Sequence, residues 1–434
     1  MKISVLHAYS DSNKGDLAIV LATVKALKSN APHVQIYLHS VYAASDPNFS
    51  FHHRHIAGHV DEVCSHSIPS PYIDDAAHSA LRNVLAAARL LRDSGKHYLN
   101  LILGPTKFLR NRSNELIQQS DLVLLKGGQY IYSDQGGLRG VLYLWRVLSS
   151  IHQSAQQGKR VVIMGQSLGP LPDGLPGRMV AKALRKCELV VVRERLSLEL
   201  AQRLMHGNTA SKLVLAPDFA FLIEPREPAN YSEKFAFLDD GDWIGVTVVN
   251  WYFPGSPDVA AARRNYETQI IEACVQLHRA HGFRVALFPQ VTVRHHGESD
   301  LDLLKRISDA LEARDVPVRT VVDDLAPEQL SYLYGRCRVL IGTRLHSCIL
   351  AAVASCPVVA IRYQGFKTEG VMAELGMSEH VLDISHLEAS DLTSKVTELA
   401  ESRTDVKRKI DDRVAQMRKD LSDLVGDVLS EDAA

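Results

Sequence analysis

Short runs of apolar and β-branched residues recur along the chain, separated by stretches of helical periodicity. In the first half the runs occupy 3–8, 34–39, 121–125, 160–164, 188–192 and 212–216; in the second half, 243–249, 283–288, 316–322, 338–342 and 357–361. They are continuous and not alternating, the pattern of strands covered on both faces in a parallel sheet. Between the first two runs, Leu17, Val20, Leu21, Val24 and Leu27 fall on one face of a helix at 3.6-residue spacing, which makes a βαβ unit. The stretch from Glu224 to Asp242 breaks this rhythm with prolines and charges and marks a boundary. The prediction is an α/β protein of two doubly wound Rossmann-like domains, GT-B-like, with its active site in the cleft between them. The first domain is expected over 1–225, a linker over 226–242, the second domain over 243–403 and a final helix over 404–434.

Composition narrows the function classes. A chain of 434 residues suits two or three domains at ~100–200 residues each. Lys and Arg total 49 against 50 Asp and Glu, a net charge of −1, so bulk electrostatics gives no basis for nucleic-acid binding. No run reaches the ~18 apolar residues of a membrane span, and the N-terminal run is broken by His7 and Tyr9. A cytoplasmic protein is expected, with peripheral contact at the inner membrane face left open. The six cysteines form no CxxC pair, so neither structural zinc nor disulfides are expected. The histidine-rich region 42–66 (His52, His53, His55, His59, His66) lacks metal-ligand spacing and is expected to be an exposed acceptor-side loop.

The richest segment chemically runs from Gln329 to Lys367. It holds Arg336, Arg338, Arg344, Arg362 and Lys367 without one Asp or Glu, so a positive local field is expected. Within it, 339–361 reads as strand, tight turn, apolar helix and strand. Arg344, His346 and Ser347 then fall at a helix start, where free N–H groups and the dipole attract anions. Arg362 and Lys367 follow the next strand and would converge on the same spot if the two strands are neighbours.

Other strand ends offer polar groups. Arg193 follows 188–192, with a structural salt bridge to Glu194 or Glu199 as the alternative to a cleft role. Gly127 and Gly128, with Gln129, follow 121–125, where backbone amides can approach a ligand. Gln166 and Ser167 follow 160–164, and Asp218 ends 212–216. Asn13 and Asp16 precede or open the first helix, where Asp16 suits a helix cap or a hydroxyl acceptor. Trp251 lies in an aromatic loop after 243–249, fit for stacking on a sugar or for packing between domains, and Gln290 follows 283–288.

Together NKGDLAI (13–19), DLVLLKGG (121–128), GQSLGPL (165–171), VVRERLSLEL (191–200), APDFAFL (216–222), FPQ (288–290), VLIGTRLHSCILA (339–351) and IRYQGFKTEG (361–370) resemble the polysaccharide pyruvyl transferase family. GxRxH with a lysine after the next strand is the most specific element. The resemblance implies transfer of a pyruvyl group from phosphoenolpyruvate to two hydroxyls of a sugar, giving a cyclic ketal and phosphate. It implies His346 and Arg193 as catalytic residues and Arg344, Lys367, Ser347 and Arg362 as donor ligands. Asn13, Asp16, Gly128, Gln129, Gln166, Asp218, Trp251 and Gln290 would face the acceptor, a sugar that is either free or lipid-linked. No metal and no cofactor beyond the co-substrate are implied. Arg193 is expected to meet the Arg344–Lys367 cluster across the cleft. The alternatives are a sugar-nucleotide glycosyltransferase, with Glu369 or Glu374 on the ribose, and a non-catalytic anionic-glycan binder.

Overall fold

The computed structural model describes residues 1–70, 80–103, 108, 110–133, 137–205, 213–293, 299–365 and 367–430. The strands are β1 (Lys2–Ala8), β2 (Gln35–Ser40), β3 (Glu62–Ser65), β4 (Leu122–Leu125), β5 (Gly128–Ile131), β6 (Arg160–Leu168), β7 (Leu189–Val192) and β8 (Leu213–Leu215). They continue with β9 (Trp243–Thr247), β10 (Arg284–Leu287), β11 (Val318–Thr320), β12 (Leu340–Gly342), β13 (Val358–Arg362) and β14 (Val381–Asp383). Every strand expected from an apolar run is present. The additional ones, β3, β5 and β14, are short and mixed in polarity.

The chain forms two compact units. The first holds a parallel sheet in the order β3-β2-β1-β4-β6-β7-β8, with β5 beside β6; the second holds β11-β10-β9-β12-β13-β14, also parallel. In each, the order reverses beside the unit's first strand, between β1 and β4 and between β9 and β12. Ligands of open α/β sheets bind beyond the carboxyl ends at such points. Both strand layers are buried: Val123, Leu125, Ile163 and Val190 in one, Ile244, Val246, Ile341 and Val359 in the other, all at most 1% exposed.

Unit membership departs from the expected boundaries. Ser12–Ala18 belongs to the second unit, as does everything from Ala220 to Lys419, whereas the chain from Asp420 onward returns to the first. The expected linker 226–242 is instead packed structure: a helix Tyr231–Lys234 and a 3-10 turn Ala236–Asp240 bury Tyr231, Phe235 and Leu238. Its apolar residues are too closely spaced for the prolines and charges to keep it in solvent. The final helix runs Arg403–Leu429. Among the described residues, no helix is long and apolar enough to cross a membrane, and all six cysteines are buried free thiols.

The histidine-rich region is not the exposed loop expected. His52, His53 and His66 are buried, each with a ring-nitrogen partner: His52 Nδ1 meets Ser10 Oγ at 2.9 Å, His53 Nε2 meets Ser40 Oγ at 2.7 Å, and His66 Nδ1 accepts the Ile68 N–H at 3.2 Å. His39 lies between Ser113 and Ser4 at 2.7 and 2.9 Å, and His66 stacks on His7. Burial pushes His39, His53 and His66 down to about 3 and His97 to about 4.

A depressed histidine pKa stabilises the fold only while the unfolded chain is also neutral. As pH falls below about 6.5 the unfolded state takes up protons that the folded state refuses, and each such histidine removes up to about 1.4 kcal/mol per pH unit. Urea unfolding should therefore give constant stability from pH 8 to 7 and a steep decline below about 6.5, continuing toward the depressed values. A flat profile between pH 6.5 and 5 would show these imidazoles to be solvated.

Candidate functional site

The second unit gathers its polar groups at the carboxyl ends of its sheet. β12 and β13 are parallel neighbours, with Gly342 opposite Ala360, so the turn after β12 and the end of β13 lie side by side as the sequence analysis required. Gly342 allows that turn: a Cβ there would stand 2.5 Å from the Cys348 sulfur. Arg344 caps the helix Leu345–Val353, and His346 and Ser347 sit in its first turn. Ser347 Oγ donates to the Arg344 carbonyl at 2.6 Å and meets Thr247 Oγ1, at the end of β9, at 2.6 Å. Tyr266 locks the preceding Thr343 at 2.8 Å. The helix start is thus fixed to its sheet by buried hydroxyls, a rigid platform for His346 and Arg344.

Arg344 is held from a distant part of the sequence. Its Nη2 donates to Asp300 Oδ1 at 2.6 Å, while Asp300 Oδ2 accepts the backbone N–H groups of Gln290 and Val291 at 3.1 and 2.9 Å. Asp300 is fully buried, and burial raises its pKa against the opposing pull of Arg344. Gln290, expected on the acceptor, is 1% exposed and donates its side-chain amide to the Tyr334 hydroxyl.

The first strand-end loop joins this same unit. Asn13 bridges Val291 in antiparallel fashion, Lys14 N–H donates to Gln290 O at 3.0 Å, and Thr292 N–H to Ser12 O at 2.9 Å. Lys14 Nζ pairs with Asp324 at 2.7 Å. The helix Lys14–Asn30 therefore begins against the turn after β10. Gly15 lies on the His346 ring: a Cβ at this position would fall 2.4 Å from Nδ1 and 2.6 Å from Cγ. Asn13, and not Asp16, is the cap, since its Oδ1 accepts Asp16 N–H at 3.2 Å. Two helix starts, each with an excess of N–H donors, meet at one imidazole.

The positive field expected over 329–367 is largely cancelled by carboxylates from outside that segment. Arg344 has Asp300; Arg362 pairs with Asp383 and, at 3.1 Å, with Glu369; Arg336 lies 3.8 Å from Asp239. A charge count along the sequence cannot see carboxylates that the fold supplies. Lys367 opens the helix Lys367–Glu374, with Nζ 3.5 Å from Gln364 Oε1 and 6.0 Å from the Tyr363 ring centre. Trp251 is 8% exposed, its ring tilted on Tyr252 and edge-on to Tyr363. Trp251 and Tyr363, with Phe253, Asn265 and Ser385, line a cavity of about 380 Å³.

In the first unit the strand-end residues form a buried polar network. Arg193, 2% exposed, pairs with Asp218 through Nη1 and donates from Nε to Ser167 Oγ at 2.8 Å, with Glu194 at 3.9 Å. Asp218 is thus the arginine's counterion, a role the sequence analysis gave to Glu194 or Glu199. Gln166 is fully buried and spans the Lys126 carbonyl and the Tyr130 N–H at 3.2 and 3.0 Å, a strut between β5 and β6. Gln129 donates to the Gly169 carbonyl at 3.0 Å. Gly128 is not a simple turn; it starts β5 with φ of 133°. Gly127 is required by close approach, since a Cβ there would stand 2.8 Å from the Met164 carbonyl oxygen.

The residues that sequence reasoning missed are Asp300, Lys14 and Asp324, whose partners lie far away along the chain, and Gly15, quoted only as part of a motif. Among the described residues no group of three or more His, Cys, Asp or Glu has the arrangement of a metal site.

Comparison with known proteins agrees with this architecture. The chain is 22% identical over 436 residues, covering 99% of each, to the amylovoran biosynthesis protein AmsJ of Erwinia amylovora. Among solved structures it resembles Glycyrrhiza uralensis UGT73P12 (TM-score 0.55, 10% identity, 98% of this chain and 95% of that one). It also resembles S. aureus MnaA in its UDP complex (TM-score 0.53, 10% identity, 94% and 90%). These likenesses are of fold, which is GT-B-like. The sequence profile of the polysaccharide pyruvyl transferases matches residues 13–365, and the chain belongs to that family, transferases of polysaccharide biosynthesis.

Proposed function

We propose that the chain transfers the three-carbon unit of phosphoenolpyruvate to two hydroxyls of one sugar in a glycan or glycolipid precursor, forming a cyclic ketal and releasing phosphate. The observation that carries this reading is the meeting of two helix starts at His346, two residues after Arg344. Such a site suits a small donor bearing both a carboxylate and a phosphate. In the proposed reaction His346 protonates C3, turning the methylene into a methyl group and making C2 electrophilic. One sugar oxygen bonds to C2, the C2–O bond to phosphate breaks, and the second oxygen closes the ketal. Of the two hydroxyl protons released, one restores His346 and the other leaves with phosphate.

In this scheme Arg344 and Lys367 bind the donor. Ser347, fully buried and bonded to Thr247 and the Arg344 carbonyl, fixes the helix start and does not touch the donor, contrary to expectation. Arg362, held by Asp383 and Glu369, acts by fixing the end of β13. Acceptor contacts are assigned in the first unit to the loop carrying Gly128 and Gln129, which Gln166 braces while Asp218 holds Arg193, and in the second unit to Trp251 and to Asn13, beside Asp16 and Gln290. No cofactor takes part. The glycosyltransferase alternative needs a carboxylate for ribose, and Glu369 is occupied by Arg362. Phosphate release from phosphoenolpyruvate with a glycan acceptor, and none from nucleotide sugars, is the expected result; transfer from a nucleotide sugar instead would sink the proposal.

Replacing His346 by Ala should lower turnover by ~10²-fold or more with a much smaller change in donor binding. His346→Gln keeps a hydrogen-bonding group but cannot deliver the proton, so near-normal turnover in that variant would reduce His346 to a structural role. Arg344→Ala would strand the buried Asp300, so a loss of stability in urea unfolding is expected together with weaker donor binding by the protein that remains folded.

Gly15→Ala tests the positioning of His346 separately. Because the new methyl would overlap the ring, the imidazole must move while the sheet is untouched. Turnover should fall toward that of His346→Ala with the melting temperature little changed, and the His346 ring resonances should shift in a histidine-labelled NMR spectrum. Gly58→Ala, where nothing lies within 4 Å, is the control.

Arg193→Ala would leave Asp218 and Glu194 buried without their cation. A loss of about 3–5 kcal/mol in urea unfolding is expected. Arg193→Lys should recover part of that stability; if it also lacks activity, the arginine's planar geometry, and not its charge alone, is what the reaction uses.

A further inference from the structure

The helix Ala80–Leu103 of the first unit is built inside out over its described side chains. The side turned to the protein carries polar residues: Ser94, His97 and Asn100 are at most 7% exposed. His97 Nε2 meets the Ser149 carbonyl at 3.2 Å, and Asn100 Oδ1 accepts Phe108 N–H at 2.7 Å. The outer side carries Leu91 (52% exposed), Tyr98 (54%), Leu99 (40%), Ile102 (57%) and Leu103 (51%). These fall at spacings of three, four and seven, so they form one stripe. Phe108, 42% exposed, follows the helix.

Single exposed apolar residues are ordinary, but a stripe of five on a helix that has buried its polar face instead marks a surface used for binding. What borders it identifies the partner. Arg89 and Lys96 are exposed on the same helix, and the one carboxylate among its described side chains, Asp93, is paired with Arg92 at 2.8 Å. A second copy of this chain docking by the same face would set cations against cations. An anionic lipid surface accepts both features, with apolar side chains entering the interface and cations meeting headgroup charges.

We propose that this helix face docks the protein onto an anionic membrane surface as a peripheral, not spanning, contact. It needs nothing from the donor chemistry of the second unit, so it stands or falls apart from the proposed reaction. In that position the first unit is suited to lipid-linked acceptors.

The test is flotation of the full chain with neutral phosphatidylcholine vesicles and with vesicles containing about 30% phosphatidylglycerol, at low and at about 0.5 M salt. Binding is expected to the anionic vesicles and to weaken in salt. Ile102→Glu with Leu99→Glu should reduce it at least tenfold, and Arg89→Ser with Lys96→Ser should reduce it on anionic vesicles. All four positions are exposed, so circular dichroism and the melting temperature should be unchanged. Absence of vesicle binding by the unaltered protein, or binding indifferent to the glutamates, overturns the proposal. So does a self-associated protein that sediments as a monomer after the glutamate substitutions without ever floating, since the face would then join two copies.

Discussion

An arginine can sit at the end of a buried strand only if the fold supplies a carboxylate beside it. Three arginines here meet that constraint: Arg193 after β7 with Asp218, Arg344 after β12 with Asp300, and Arg362 at the end of β13 with Asp383. The first two aspartates are at most 1% exposed, so neither partner of those pairs is tolerable alone. Parallel pairing makes this arrangement natural. Arg362 and Asp383 are register partners across β13 and β14, and Asp218 follows β8, the neighbour of β7. The pairs fix guanidinium positions and at the same time reduce the net charge that any anionic ligand would feel. Attraction at the carboxyl edge then depends more on oriented N–H groups at helix starts than on bulk positive charge.

That shift in emphasis explains the packing around His346. Its own helix contributes one set of free N–H groups, and the helix Lys14–Asn30 brings another because Ser12–Lys14 lies along residues 290–292. Such an approach needs a residue without a side chain at the contact, and Gly15 provides it. Asp300 connects the two halves: its carboxylate holds Arg344 and the backbone of Gln290 and Val291, the segment on which the first helix start rests. Loss of Asp300 would therefore release both Arg344 and the segment that carries the first helix start.

The sheet architecture was legible because buried parallel strands write themselves as continuous apolar runs. The strands that escaped were those without such runs: EVCS in β3, GQYI in β5 and VLD in β14. The turn carrying Arg344, His346 and Ser347 was legible from local signals alone, since Gly342, Thr343 and an apolar helix follow one another directly. Its partners were not. Asp300 is 44 residues from Arg344, and no local pattern distinguishes it from a surface aspartate before a helix. The same limit produced the overestimated positive field, because composition within a segment omits the carboxylates that fold against it. Buried histidines escaped for a related reason: a run of imidazoles reads as polar and exposed until the fold brings a hydroxyl or a backbone group to it, as Ser10 to His52, Ser40 to His53 and Ile68 to His66.

The first unit extends this point to its surface. Its interior accepts His39, His53, His66 and His97, whose pKa values burial depresses, and a helix that turns Ser94, His97 and Asn100 inward. Each buried polar group needs a specific partner, which restricts what can sit inside. With polar residues at those inward positions, Leu91, Leu99, Ile102 and Leu103 of the helix are left on the outside. Such a helix would be a liability for a freely diffusing protein, since a contiguous apolar stripe promotes association. Its retention beside a one-sided set of cations is understandable where the outer face meets lipid, because the bilayer supplies the apolar contact that the protein core does not.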